Sequence, residues 1–96
     1  MRLRIRRPAR DDINSAFDWY DGQDAEAGAR FAAEVAHVIE RIASNPQQFP
    51  VVHRDVQRAL LRHFPYAVYF CVYASRIEVI AVPHQRQAPG LWKARM

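Results

Sequence analysis

The chain has 96 residues, half of them hydrophobic and a quarter charged, with three Gly, six Pro and a single cysteine, Cys71. This composition fits one small core and excludes low-complexity and collagen-like chains. Fourteen cationic against ten anionic side chains give +4, a balance suited to an anionic partner, and so short a chain leaves stability marginal without association.

Residues 2–6 alternate Arg with Leu3 and Ile5, the period-2 pattern of a short, half-buried and peripheral strand. Pro8 fits a first helical turn, where a missing N–H is no loss, and Asp11 and Asp12 fall near the positive end of a helix dipole. Ile13, Ala16, Phe17 and Tyr20 recur at helical spacing, which predicts an amphipathic helix over 9–20. Asp21 and Gly22 end it, and Asp24 is the next N-cap. Phe31, Val35, Val38, Ile39 and Ile42 then form one apolar stripe, so a second helix spans 25–44, up to Asn45-Pro46. The short link makes the pair an antiparallel hairpin in which Gly28 admits close approach.

Asn45 to Asp55, with Pro46, Phe49 and Pro50, reads as an ordered loop. Three β-rich runs follow at 56–64, 66–74 and 76–84, an antiparallel meander divided by Pro65 and by Ala74-Ser75. The middle run is apolar on both faces; the helical hairpin covers one, and a partner or the C-terminal tail covers the other. Its nine residues, Tyr66 to Ala74, are the longest apolar run, far short of the roughly 20 of a membrane-spanning helix. The Arg-rich start lacks the apolar stretch of a secretory signal, and a lone cysteine makes the cytoplasm the expected compartment. The expected fold class is α+β, a β-α-α-β-β-β chain with the helical hairpin packed on a small, mainly antiparallel sheet, in one domain over residues 1–96.

Charge is unevenly placed. Residues 1–10 carry five Arg and no acid, residues 11–44 carry eight acids against Arg30 and Arg41, and cations dominate again from residue 45 onward. Thirteen of the fourteen cations are Arg, with Lys93 the exception, which favours bidentate recognition of carboxylate or phosphate. Arg58 and Arg62 lie four apart in one run and are expected to project from one strand face with Leu60. His84 ends the last run beside Arg86. RNA cleavage by 2′-OH attack would require His84 as base or acid and Arg62 and Arg86 as cations, yet no Tyr, Lys or acid adjoins His84 in sequence, and Tyr66, Tyr69 and Tyr73 lie in the central run. The residues support a basic binding surface (Arg58, Arg62, His84, Arg86, Trp92) better than an active site. Trp92 reads either as an exposed recognition element or as an anchor packed on the core. The four histidines lack metal-ligand spacing, so neither a metal nor a cofactor is expected, and Cys71 reads as a small buried hydrophobe.

The element order, together with Ala9-Arg10-Asp11-Asp12-Ile13, Gly28-Ala29-Arg30-Phe31, Asn45-Pro46 with Phe49-Pro50, Leu60 to Tyr66 running into Val68-Tyr69-Phe70, and Val82-Pro83-His84-Gln85-Arg86 with Pro89 and Trp92, resembles the RelE/ParE superfamily of type II toxin–antitoxin toxins, the ParE-like (plasmid stabilisation) branch above all. The resemblance covers essentially the whole chain. It implies a toxin that inhibits DNA gyrase and is neutralised by a cognate acidic antitoxin in a hetero-oligomeric complex. The RelE branch implies instead a ribosome-dependent mRNA endoribonuclease. Gln87 stands where the superfamily commonly has a second cation after the His, which raises a third reading, an inactive antitoxin-binding module.

Overall fold

The computed structural model describes residues 2–87 and 90–95. In chain order the elements are β1 (Arg2–Ile5), α1 (Arg7–Gln23), α2 (Ala25–Ser44), a 3-10 turn (Pro46–Gln48), β2 (Val51–His53), β3 (Val56–Leu60), β4 (Ala67–Val72), β5 (Arg76–Ala81) and a short α3 (Gly90–Lys93). The strands form one sheet in the order β1-β5-β4-β3-β2, antiparallel except for β1, which runs parallel to β5. The expected α+β class holds, with one strand more than the sequence signalled. Residues 51–53, read as loop, pair with β3 because the 3-10 turn after Asn45 brings the chain back along the sheet edge.

The first helix is longer than its apolar spacing suggested, 7–23 in place of 9–20. Asp21-Gly22 do not end it; Asp24 alone does. This residue takes an extended conformation, its N–H closes α1 on the Tyr20 carbonyl, and its Oδ1 accepts from the Glu26 N–H at 3.1 Å to open α2. One residue therefore serves as C-cap and N-cap, and the two helices are clamped antiparallel. A Cβ on Gly28 would lie 2.9 Å from the Asp21 Cβ and 3.0 Å from its Cα, so only glycine permits this approach.

The helical layer packs Ala9, Ala16, Phe31, Val35, Val38 and Ile42 on one face of the sheet, against Ala59, Val68, Phe70, Ile77 and Val79. Along β5 the pairing with β4 slips by one residue at Ile80, between Phe70↔Val79 and Tyr69↔Ala81. This bulge turns Ile80 and Ala81 both toward the second face, where they join Val56, Cys71 and Trp92. Trp92, at 7% exposure, stacks on Tyr69 with ring centroids 4.5 Å apart. The C-terminal segment thus covers the second face, and Trp92 is an anchor. The last turn is held by Arg95, whose guanidinium reaches both Asp12 oxygens at 2.6 and 3.2 Å and whose carbonyl accepts from Arg6.

The two helical glycines, Gly28 buried and Gly22 exposed, separate packing from chain entropy. Gly28→Ala must push α1 and α2 apart and should lose about 1–3 kcal/mol, whereas Gly22, with nothing within 4 Å of a Cβ, should gain about 0.4–1 kcal/mol as alanine. Urea unfolding of the two variants checks the pair; equal effects would sink the close-approach account.

Candidate functional site

β3 ends at Leu60, not at residue 64, because Glu34 of α2 captures the next stretch. Its carboxylate accepts the backbone N–H of Arg62 and, at 2.9 Å, that of His63, and it meets His63 Nδ1 at 2.7 Å. Burial pushes the Glu34 carboxyl up, but the bonds from His63 and Arg62 outweigh this and hold it below the ordinary range. The consequence corrects the same-face expectation for Arg58 and Arg62. Arg62 is carried off the sheet into a groove along α2 lined by His37, Arg41, Leu60 and His63, while Arg58 stays on the sheet's second face.

Arg58, His84 and Trp92 do come together. With Val52, Tyr69, Pro83, Gln85 and Gln87 they line a groove of about 290 Å³. The walls are aromatic: Tyr69 stacks on Trp92, and His53 meets the same indole edge-on at 5.7 Å. The Arg58 Nε–H is buried and has no hydrogen-bond partner among the described residues, so this groove holds an unused donor that an anionic or carbonyl-bearing partner would satisfy.

Residues 84–87 fold into a self-contained turn. His84 Nδ1 accepts from the Arg86 N–H at 3.0 Å, the His84 N–H donates to Gln87 Oε1 at 2.8 Å, and the Gln87 N–H returns to the His84 carbonyl at 3.0 Å. Nδ1 being an acceptor, the neutral ring carries its proton on Nε2. Gln87 thus shapes the turn. Arg86 projects beyond it, toward Trp19, Tyr20, Pro65 and Tyr66, on the far side of His84 from Arg58. Pro89 of the sequence signature lies outside the described residues.

Sequence reading missed Tyr66 and Trp19. Tyr66 is paired with His84 by an isolated antiparallel bridge, and their rings meet edge-on at 5.1 Å; burial raises its phenol above the usual range. The signal was present in the hairpin: a turn at Ala74-Ser75 brings 66 opposite the region of 84, and the bulge fixes which residue. Trp19, 60% exposed on α1, carried no comparable signal.

Electrostatics set the far end of the second face. Glu78, buried, takes Arg76 Nε and Arg6 Nε at 2.6 Å each. Arg76 first, then Arg6, holds its carboxyl down at about 2. Burial raises the Cys71 thiol, as befits an inert core sulfur.

Fold and grooves together define a class: a small α+β domain with a candidate binding surface of arginines and aromatics around a braced histidine turn. Residues 3–89 match the family described as ParE toxin of type II toxin-antitoxin system, parDE, and the chain belongs to that family. Among solved structures it is similar to one from a chromosomal ParDE TA system of P. aeruginosa, with a TM-score of 0.77 and 18% identity over 88% of this chain and 95% of that one. No curated protein matches the sequence significantly.

The Glu78 knot predicts a pH dependence. A carboxyl whose folded value, about 2, lies below its ordinary 4.5 contributes stability that is present above 4.5 and is lost as pH falls toward 2. Glu78→Gln should therefore cost about 1–3 kcal/mol at neutral pH, and the gap to wild type should close across that acid window in urea melts. A gap that persists unchanged at the acid end would overturn the assignment.

Proposed function

We propose that the protein is a non-enzymatic toxin that inhibits DNA gyrase through the groove around His84, and that a cognate acidic antitoxin neutralises it in a hetero-oligomeric complex. The observation that carries the reading is the engagement of His84. Its Nδ1 accepts the Arg86 N–H, and a proton on Nδ1 would break that bond, so the ring braces a contact surface and is poorly placed to cycle as acid and base. Arg86 and the unsatisfied Arg58 are the contact cations, with Trp92 as the groove wall. The toxin acts as one domain in the cytoplasm, a setting consistent with its single, buried cysteine.

The antitoxin is assigned to the other groove. Leu60 is 51% exposed beside Arg62, Arg41 and His37, an apolar anchor ringed by cations that fits an amphipathic acidic segment folding on contact.

One observation favours the alternative, a ribosome-dependent mRNA endoribonuclease: Tyr66 stands edge-on to His84. With its phenol raised by burial, Tyr66 stays protonated and supplies the proton donor that the sequence lacked, with Arg86 as the phosphate cation and Arg62 too far along α2 to help. The inactive-module reading rests on the missing cation at position 87, where Gln87 instead accepts the His84 N–H.

Gyrase supercoiling with purified toxin separates these readings. His84→Gln keeps an acceptor for the Arg86 N–H and should hold inhibition within about threefold, whereas loss of a general acid or base costs roughly 100-fold or more. Arg86→Ala should weaken inhibition about tenfold, some 1.4 kcal/mol of contact. If His84→Gln abolishes growth arrest and the wild type cuts mRNA on ribosomes, the nuclease reading replaces this one. Leu60→Asp should weaken antitoxin capture by about tenfold or more while gyrase inhibition is retained; loss of both together would show one shared surface.

A further inference from the structure

The Arg-rich start of the chain is used by neither groove. β1 is an edge strand whose Leu3 and Ile5 face the helical layer, which turns Arg2 and Arg4, both exposed, to the opposite side. Across the parallel ladder Arg2 is the register partner of Arg76 and Arg4 of Glu78. Arg7 and Arg10 follow at the start of α1, also exposed; Arg7 is three positions on from Arg4, at most about 11 Å between Cα atoms. The buried acid at this edge, Glu78, is already occupied by Arg6 and Arg76. Among the described residues, Arg2, Arg4, Arg7 and Arg10 are in none of the ion pairs.

Folding does not favour this arrangement. Like charges closer than the Debye length of about 8 Å at physiological salt repel, and cations at a helix N-terminus oppose its dipole. The first turn of α1 holds no acid, and its N-cap, Arg6, makes no capping side-chain bond. Residues kept where they cost stability point to binding. The edge also lacks what a protein partner needs. Val51, Val52 and Leu60, large and exposed, lie on other elements, Trp19 sits nine residues beyond Arg10 along α1, and Tyr73 is held by Arg6 at 3.1 Å and lies under the Arg76 guanidinium. Cations without an apolar anchor suit a phosphodiester backbone, which is recognised by guanidinium contacts alone.

We propose that β1 and the first turns of α1 form a sequence-independent site for the phosphate backbone of nucleic acid, with Arg2, Arg4, Arg7 and Arg10 as its contacts. This goes beyond the gyrase reading and stands or falls separately from it.

Fluorescence anisotropy of the full chain with a 20-base-pair DNA duplex, and in a second arm with an RNA duplex of the same length, tests it across a salt series. Four phosphate contacts predict a slope of log affinity on log salt of about −3 to −4. Arg4→Gln/Arg7→Gln should weaken binding at least about tenfold at low salt and flatten the slope by about 2, without lowering the melting temperature. Arg10→Gln, a single change on the helix surface, should flatten it by about 1 and serves if the double variant folds poorly. Arg30→Gln/Arg54→Gln removes the same charge far from the edge and should leave the slope in place. A preference between the DNA and RNA arms identifies the natural source. Equal losses in both double variants would reduce the effect to net charge and overturn the site. So would Arg4→Gln/Arg7→Gln losing antitoxin capture while binding both duplexes like wild type, since the edge would then be a protein contact.

Discussion

A sheet apolar on both faces, in a chain with only one helical hairpin, is the constraint on which the rest of the structure depends. The hairpin covers one face with Phe31, Val35, Val38 and Ile42. The other face exposes Val56, Tyr69, Cys71, Ile80 and Ala81, and the chain must finish by covering it with Trp92. Four turns of polar chemistry hold that cover in place: Glu78 binds Arg6, Arg6 reaches the Arg95 carbonyl, Arg95 forks onto Asp12, and Asp12 accepts the Val82 N–H. Asp12 sits on α1, so the helical layer on one face and the C-terminal segment on the other are joined around the edge of the sheet. Charges of this kind contribute order more than net stability, because each is desolvated as it is paired.

The same constraint builds the candidate site. The bulge at Ile80 adds one residue to β5, keeps apolar side chains on the second face at two successive positions, and sets His84 opposite Tyr66. The histidine turn therefore emerges where the two covered faces meet, with Trp92 and Arg58 on one flank and Trp19 and Arg86 on the other. Without the extra residue the pairing register would be shifted by one, and the site would lose its Tyr66 neighbour.

Periodicity made most of the architecture legible. The apolar stripe of 25–44 coincided with α2, Asp24 was its cap, and Gly28 marked the helix contact, because each of these is decided by neighbours within a few residues. What periodicity did not reveal was decided at a distance. β2, only three residues long, is too short to announce itself and exists because β3 offers it a ladder. Arg62 left the strand because Glu34, 28 positions away, bonds its N–H. Tyr66 met His84 through a bulge that no local signal fixes. The candidate cations were found by type, but only three-dimensional pairing sorted them into two grooves and an edge.

The register of β1 bears on how the molecule is assembled in time. α1 and α2 close through Asp24 alone, and the β4–β5 hairpin turns within a few residues, so both are local and form on the scale of about a microsecond or less to ten microseconds. β1 instead pairs in parallel with β5, Arg2 beside Arg76, across most of the chain. Closing so long a loop is the slow kind of event in β-containing domains. On the ribosome, β1 is thus made well before it can find its place: it waits, unpaired, until β5 has been synthesised and folded onto β4.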